Sequence, residues 1–420
     1  MKAFFGAVAD DFTGASDLAA MLARAGAAVT LRIGVPEGPA ATPYEVVALK
    51  IRTVPPDEAV AGARAAARWL RGAGARRLYW KYCSTFDSTP RGNIGPVAEA
   101  LMADLEAERT VHCPAFPENG RRVFMGRLFV GDVPLDESPM KDHPLTPMRD
   151  AALPRLLAAQ AARDVGLVPW PVVRAGADAV RAAVDAARGH LILDAVEDAD
   201  LAVLAAAVAD LPLVCGGSAL AAPLPALWRD AAGAAVPAPP PPVPGPGRLV
   251  LSGSCSEATR GQVGRWLDAG APGYRLDPVE LSRGGLADAR AWAARQDPAA
   301  GAILYASAEP AAVAEAQAAL GVARAGALVE DAMAALARDA AERGIGRIVV
   351  AGGETSGAVT AALGVDRLRI GPEIAPGVPW CLSDRGPALA LKSGNFGGPD
   401  FFADAFALLE EGGAAAPAAG

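Results

Sequence analysis

The chain has 420 residues, too many for one ordinary core; about 100–200 residues per domain gives two or three domains. Hydrophobic residues make up 52% of it, and 47 acidic against 39 basic side chains leave a formal charge of −8. An acidic chain without a Lys/Arg cluster argues against nucleic acid or an anionic membrane surface as a partner. The five cysteines are scattered with no CxxC pair, which suggests neither a disulfide framework nor a zinc cluster. Three histidines are too few to point to a His-based metal centre. No run reaches the ~18 uninterrupted apolar residues that a spanning helix needs. Met1-Lys2-Ala3-Phe4-Phe5 runs into Asp10-Asp11 rather than into a small-residue cleavage site, so the expectation is a cytoplasmic protein.

The first predicted element is a strand over Ala3–Ala9, then a loop over Asp10–Gly14 and a helix over Ala15–Ala25. Two carboxylates close the strand, and a hydroxyl and a glycine open the helix. Asp10 or Asp11 could accept a proton from a substrate alcohol, and the helix N-terminus could hold an anion. The competing reading is a plain Asp N-cap beside a second, solvated Asp. A second strand, Leu78–Trp80, leads into a loop with Lys81, Ser84, Thr85 and Asp87, and then Arg91. That set of groups suits a polyhydroxylated anion: Lys81 for charge, and Ser84, Thr85 and Asp87 for hydroxyls. A polar surface loop is the plainer alternative.

His112 to Thr146 reads as a long irregular segment, too apolar for disorder and better as a packed lid or pocket wall. His143 within it is a candidate catalytic group, weighed against the commoner structural histidine. Residues 237–246 carry seven prolines in ten positions, a semi-rigid linker. The predicted division is residues 1–235, a linker at 236–247, residues 248–412, and a disordered tail at 413–420.

The second part repeats the grammar of the first. A strand over Arg248–Leu251 meets Ser252-Gly253-Ser254 and a helix from Glu257 to Ala269. A strand over Arg347–Val350 meets Gly352-Gly353-Glu354-Thr355-Ser356-Gly357 and a helix to Leu363. Lys392-Ser393-Gly394-Asn395-Phe396-Gly397 has the same character. Glycine lets backbone N–H groups approach phosphates, and a helix end adds partial positive charge. Three such turns at strand ends favour a nucleotide site, although no Walker A loop is present. Strands alternating with helices predict an α/β protein of two domains, each with a largely parallel sheet flanked by helices.

Ala-Asp-Asp-Phe-Thr-Gly-Ala at 9–15, the Lys81–Thr89 segment, Cys113–Thr146, Gly-Gly-Glu-Thr-Ser-Gly at 352–357 and Leu391–Gly397 together resemble the four-carbon acid sugar kinases. The resemblance runs from residue 3 to about residue 409. Its most specific part is the run Cys-Pro-Ala-Phe-Pro-Glu-Asn-Gly, Leu-Phe-Val-Gly-Asp-Val-Pro-Leu and Glu-Ser-Pro-Met-Lys-Asp-His-Pro-Leu-Thr-Pro-Met, which looks like the 3-oxo-tetronate kinase branch. The resemblance implies transfer of phosphate from ATP to the 4-hydroxyl of a 3-oxo-tetronate. It implies a sugar-acid domain followed by an ATP domain, with the active site in the cleft between them. ATP contacts would fall on Ser254, Gly352, Gly353, Glu354, Thr355 and Gly394, with Ser252 and Gly397 as neighbouring alternatives, and Mg²⁺ would bridge the phosphates. Threonate, erythronate or glycerate kinases are the alternatives within the class. An aldolase, isomerase or dehydratase, or a non-catalytic nucleotide or sugar-acid sensor, are those outside it. The sequence leaves the oligomeric state open, a homodimer included.

Overall fold

A computed structural model describes residues 2–142, 146–232 and 245–414. The chain divides into two compact units, Met1–Ala238 and Pro239–Gly420. Most of the proline-rich segment, residues 233–244, lies outside the described residues, as do His143 and residues 415–420. The last helix, Phe401–Ala414, continues into the stretch expected to be tail.

Among the described residues, the first unit is built on eight parallel strands. In chain order these are β1 (Phe5–Ala9), β2 (Val29–Ile33), β3 (Tyr44–Ala48), β4 (Arg77–Lys81) and β5 (Arg109–Cys113), then β9 (Val165–Val168), β10 (Gly189–Leu193) and β11 (Leu213–Gly216). Between β5 and β9 lie three short strands, β6 (Arg121–Phe124), β7 (Arg127–Val130) and β8 (Val133–Pro134). The parallel order is β2-β3-β1-β4-β11-β5-β10-β9. β1 lies between β3 and β4, so the winding reverses beside it. Ligands of open parallel sheets bind at such a reversal, beyond the carboxyl ends of the strands. The chain therefore brings the residues after β1, β3 and β4 to one place.

Of the segment expected to be irregular, His112 to Thr146, the described residues up to 142 are more regular than expected. β6, β7 and β8 form a small antiparallel sheet, anchored when Met125 and Gly126 donate their N–H groups to the buried Asp194 carboxylate at 2.6 and 2.9 Å. Local turns hide this sheet from a periodicity argument, because its strands have only two to four residues.

The second unit has β12 (Arg248–Ser252), β13 (Gly273–Arg275), β14 (Ala302–Tyr305), β15 (Arg347–Ala351), β16 (Arg367–Ala375), β17 (Val378–Ser383) and β18 (Ala388–Lys392). β13-β14-β12-β15-β18 are parallel, and β17 and β16 extend them antiparallel. Alternate residues enter opposite cores: Leu249, Leu251, Ile348 and Val350 on one face, Val250, Val349 and Ala351 on the other. A sheet covered on both faces needs such continuous apolar strands, which is why they were readable as short apolar runs. The winding reverses between β12 and β15, where Ser252-Gly253-Ser254 and Gly352 leave the sheet.

A buried polar chain crosses the first unit. The Tyr82 hydroxyl lies 3.1 Å from His112 Nδ1, His112 Nε2 lies 3.0 Å from His190 Nδ1, and His190 Nε2 lies 3.4 Å from Glu99 Oε1. With Glu99 as acceptor, every donor points the same way, from Tyr82 towards the carboxylate. Burial holds both imidazoles below their usual range. The unfolded chain therefore binds more protons once the pH falls below about 6.5. Stability supplied by the neutral rings is present above that pH and lost beneath it, by up to ~1.4 kcal/mol per pH unit for each ring. Urea titrations at pH 7.5 and 5.5 should show the loss, and the slope should flatten in a His112→Gln/His190→Gln variant.

Candidate active site

Asp10 and Asp11 follow β1 directly. Both are buried, at 2% and 9% exposure, so the picture of a solvated second Asp does not hold. The cause is Arg52, in the segment after β3. Its backbone N–H donates to the Asp10 carbonyl at 3.2 Å. Its Nε and Nη2 donate to Asp10 Oδ2 and Oδ1, both at 2.8 Å. Nη2 also lies 2.8 Å from Asp11 Oδ1, and Nη1 lies 3.9 Å from Asp87 Oδ2. Arg52 thus sits among three carboxylates. A planar fork bound bidentately is what arginine supplies and lysine does not.

The helix begins at Phe12, three residues earlier than predicted. Asp11 is its N-cap: Oδ1 accepts from the Gly14 N–H and Oδ2 from the Thr13 hydroxyl, both at 2.8 Å. The capping reading is correct for Asp11, and the same carboxylate faces the site cations. Burial raises the Asp11 carboxyl, but Arg52, Lys81, Thr13 and Gly14 outweigh it, and the net shift is downward. For Asp10, burial dominates over Arg52 and the shift is upward. Two adjacent carboxylates are driven apart by their surroundings, a pattern associated with functional sites.

Lys81 ends β4, buried, with Nζ donating to the Tyr82 carbonyl at 2.9 Å. A Cβ on Gly14 would lie 2.8 Å from that Nζ and 2.4 Å from Asp11 Oδ1. Glycine there is what lets the helix start and the lysine approach one another. Ser84, Thr85 and Asp87 are also buried. Phe86 and Asp87 take positive φ angles of 65° and 36°, which cost about 1–3 kcal/mol each in non-glycine residues. The Thr85 hydroxyl donates to Asp87 Oδ1 at 2.7 Å and helps hold that turn. The structure therefore brings Asp10, Asp11 and Asp87 together around Arg52, with Lys81 beside Asp11. Arg91 stands apart: it is exposed, and its described bond is from its backbone N–H to Thr89 Oγ1 at 3.3 Å. Arg52, a basic residue just past an apolar strand, is the site residue that sequence reading missed.

In the second unit, Gly352 has φ 126° and caps the helix Gly353–Ala362. Gly353-Glu354-Thr355-Ser356-Gly357 is thus a first helical turn rather than a loop, since the Ser356 N–H already bonds the Gly352 carbonyl at 2.8 Å. A Cβ on Gly253 would lie 2.1 Å from Thr355 Oγ1, and one on Gly394 would lie 2.6 Å from Ser254 Oγ. The three turns around 252–256, 352–355 and 392–397 are therefore packed against each other. Ser252 Oγ faces Ser307 Oγ at 2.8 Å, and the Ser307 hydroxyl is 2.6 Å from the Ser254 carbonyl. Gly397, at φ 83°, lies on the same last turn, and its carbonyl accepts from Gln262 Nε2 at 3.1 Å. Glu354 is the one acidic side chain in these three turns. Among the described residues, no group of three or more His, Cys, Asp or Glu side chains could hold a metal ion, and no single helix is long and apolar enough to cross a membrane.

Comparison with known proteins fits this division. A family model described as a sugar-binding N-terminal domain matches residues 5–224, and one described as a nucleotide-binding C-terminal domain matches residues 249–402. The class is therefore a two-domain α/β protein that pairs a sugar-binding with a nucleotide-binding domain. A 3-oxo-tetronate kinase of Cupriavidus necator is 51% identical, covering 97% of this chain and 98% of its own. One of Pseudomonas fluorescens is 48% identical, covering 98% of each. The chain belongs to the family of the 3-oxo-tetronate kinases. Among solved structures, a Salmonella typhimurium LT2 chain superposes with a TM-score of 0.82 at 42% identity, covering 96% of this chain and 98% of that one. It was described provisionally as a tRNA synthase; a curated relative of the same strain and the same identity is a 3-oxo-tetronate kinase. A Haemophilus influenzae protein superposes with a TM-score of 0.73 at 41% identity, covering 96% of this chain and all of that one.

Proposed function

We propose that the protein phosphorylates the 4-hydroxyl of a 3-oxo-tetronate with ATP, as a cytoplasmic enzyme of four-carbon acid sugar breakdown. The observation that carries the chemistry is the cluster of Asp10, Asp11, Arg52 and Lys81 at the reversal point of the first unit. Phosphoryl transfer asks mainly for positioning and charge neutralisation. Lys81 has ammonium protons beyond the one given to Tyr82, and these suit the substrate carboxylate. Ser84, Thr85 and Asp87 suit its hydroxyl and oxo groups. Arg91, being exposed, is the weaker candidate for the carboxylate.

Asp11 is assigned as the proton acceptor and Asp10 as the group that holds Arg52. Asp10 is engaged through both oxygens by one guanidinium. Asp11 also accepts at both oxygens, from Gly14, Thr13 and Arg52, but it is the more exposed of the two, and despite burial Arg52 and Lys81 hold its carboxyl below the usual range. The O4–H proton passes to Asp11, a bond forms from O4 to the γ-phosphorus, and the bond to the β,γ-bridging oxygen breaks to release ADP.

ATP is assigned to Ser252, Ser254, Gly352, Gly353, Glu354, Thr355, Gly394 and Gly397. The first-turn N–H groups of Gly353–Ala362 suit phosphate oxygens. Mg²⁺ neutralises charge on the phosphates when bound. A metal held largely by phosphates and water, with one protein carboxylate, is usual for Mg²⁺, and Glu354 fits that part.

The test of regiochemistry is ³¹P and ¹H NMR of the product, which should show phosphorus coupled to the C4 protons. Coupling at C2, or none, contradicts the assignment. A second expected outcome concerns Gly253→Ala. Its new methyl meets the Thr355 hydroxyl, so KM for ATP should rise by about tenfold, ~1.4 kcal/mol in binding terms, with KM for the sugar acid unchanged. Gly261→Ala, where nothing lies within 4 Å, is the matched control.

A further inference from the structure

Lys392 is a lysine with no exposed surface, at the end of β18. Its backbone and side chain join the three turns of the second unit. The Gly352 N–H donates to its carbonyl at 2.8 Å. Its Nζ donates to Thr259 Oγ1 at 3.0 Å and to the Ser393 and Gly394 carbonyls at 2.9 Å each. The Gly394 carbonyl also accepts from Ser256 Oγ at 2.6 Å and Thr259 Oγ1 at 2.7 Å. Three donors on one carbonyl oxygen fix that peptide plane, and a trans peptide then turns the Asn395 N–H the opposite way. Lys392 therefore sets the direction of an amide in a turn assigned to nucleotide.

All three acceptors of the ammonium are neutral. The ring of Phe401 lies 5.9 Å from Nζ. The charged residues on the surrounding elements are turned elsewhere: Arg260 to Glu309 and the Cys255 carbonyl, Asp400 to Arg265, while Glu257 and Asp404 are exposed. Glu354 stands on the first turn of its helix, and among the described residues no ion pair reaches Lys392. A buried ammonium without a counter-charge is costly, and burial brings this one down to about 7. A polyphosphate would be the missing anion.

We propose that Lys392 is a positioning residue of the nucleotide site, whose Nζ holds the Gly394 turn on the helix Glu257–Asp268 and whose neutral amine form takes up a proton from solvent when a nucleotide polyphosphate binds. The inference rests on reading these turns as the ATP site. Each unit by which the polyphosphate raises the Lys392 pKa makes binding ~tenfold tighter on the acid side than on the alkaline side. The measurement is ADP binding by calorimetry at pH 6.5, 7.5 and 9, in two buffers of different ionisation enthalpy. The proteins compared are wild type, Lys392→Met and Lys392→Arg. The nucleotide's own phosphate titrates nearby, so the readout is the difference between proteins. Wild type should take up protons at pH 7.5 beyond those taken up by Lys392→Met, and the affinity gap between them should close towards pH 9. Lys392→Arg, charged at every pH, should lack the excess uptake and show the flatter profile.

Should Lys392→Met fold poorly, the comparison of wild type with Lys392→Arg decides. Equal proton uptake in wild type and variants overturns the inference whatever the kinase activity is. The expected signature without phosphate transfer to any sugar acid supports the inference and overturns the kinase reading.

Discussion

Asp11→Asn is expected to lower kcat by ~10²–10⁴-fold, the range that a positioned proton acceptor contributes, while the protein stays folded. Asparagine is as good an N-cap as aspartate, so its Oδ1 can still accept the Gly14 N–H that Asp11 accepts at 2.8 Å. The variant removes the proton acceptor and one of the two carboxylate charges paired with Arg52, and leaves the helix start and the two-pronged Asp10–Arg52 bond intact. Asp10→Asn should behave differently. It breaks the two-pronged bond to Arg52, so it should raise KM and lower stability with the smaller change in kcat. If Asp10→Asn is the one that loses kcat, the two roles are exchanged. Near-normal kcat in both variants would mean that the base lies elsewhere. Steady-state kinetics with each substrate saturating, beside thermal unfolding of each variant, separates these outcomes.

Arg52→Met should be the most destabilising single change in the first unit's site. Removing one partner of a buried ion pair costs about 3–5 kcal/mol, because the other charge stays buried and uncompensated. Here two carboxylates, Asp10 and Asp11, lose their shared partner at 2.8 Å. The pH dependence has a definite sign. Burial already lifts the Asp10 carboxyl above its usual range, and losing Arg52 lifts it further. A carboxyl whose folded value is raised favours the folded state at low pH, and that contribution is lost as pH rises through the folded value. The deficit of Arg52→Met relative to wild type should therefore be larger at pH 8 than at pH 5. Asp10→Asn added to Arg52→Met should recover part of it. Urea unfolding at both pH values checks this, and a deficit under ~1 kcal/mol at pH 8 would contradict the buried-pair account.

The parts of this molecule that were legible in the sequence are those where one residue type answers one local demand. Apolar runs such as Leu249–Leu251 must be strands covered on both faces, the glycines at 253 and 394 mark backbones that pack where a Cβ would collide, and Gly352 marks a positive φ that side chains rarely adopt. Asp10-Asp11 was visible as chemistry because two carboxylates after a buried strand exceed what a cap requires. Arg52 was not visible. It belongs to another strand's loop and reaches Asp10 only because β3 lies beside β1, a fact of sheet order rather than of sequence. Lys392 looked like one more turn residue, since its burial depends on β15, the helix Glu257–Asp268 and Phe401 closing around it. The helix starts at Phe12 and Gly353 came earlier than expected because Asp11 and Gly352 act as caps, and capping is decided by backbone angles at single residues.

The central claim, a kinase for 3-oxo-tetronates, is tested most directly by ADP release coupled to NADH oxidation. The assay contains ATP and Mg²⁺, with a panel of 3-oxo-tetronates of both configurations, D- and L-threonate, D- and L-erythronate, and glycerate. ADP release should depend on the acid, with the highest kcat/KM for a 3-oxo-tetronate. Best turnover with threonate, erythronate or glycerate would contradict the substrate assignment, and a folded, ADP-binding protein that releases no ADP with any acid would contradict the kinase itself.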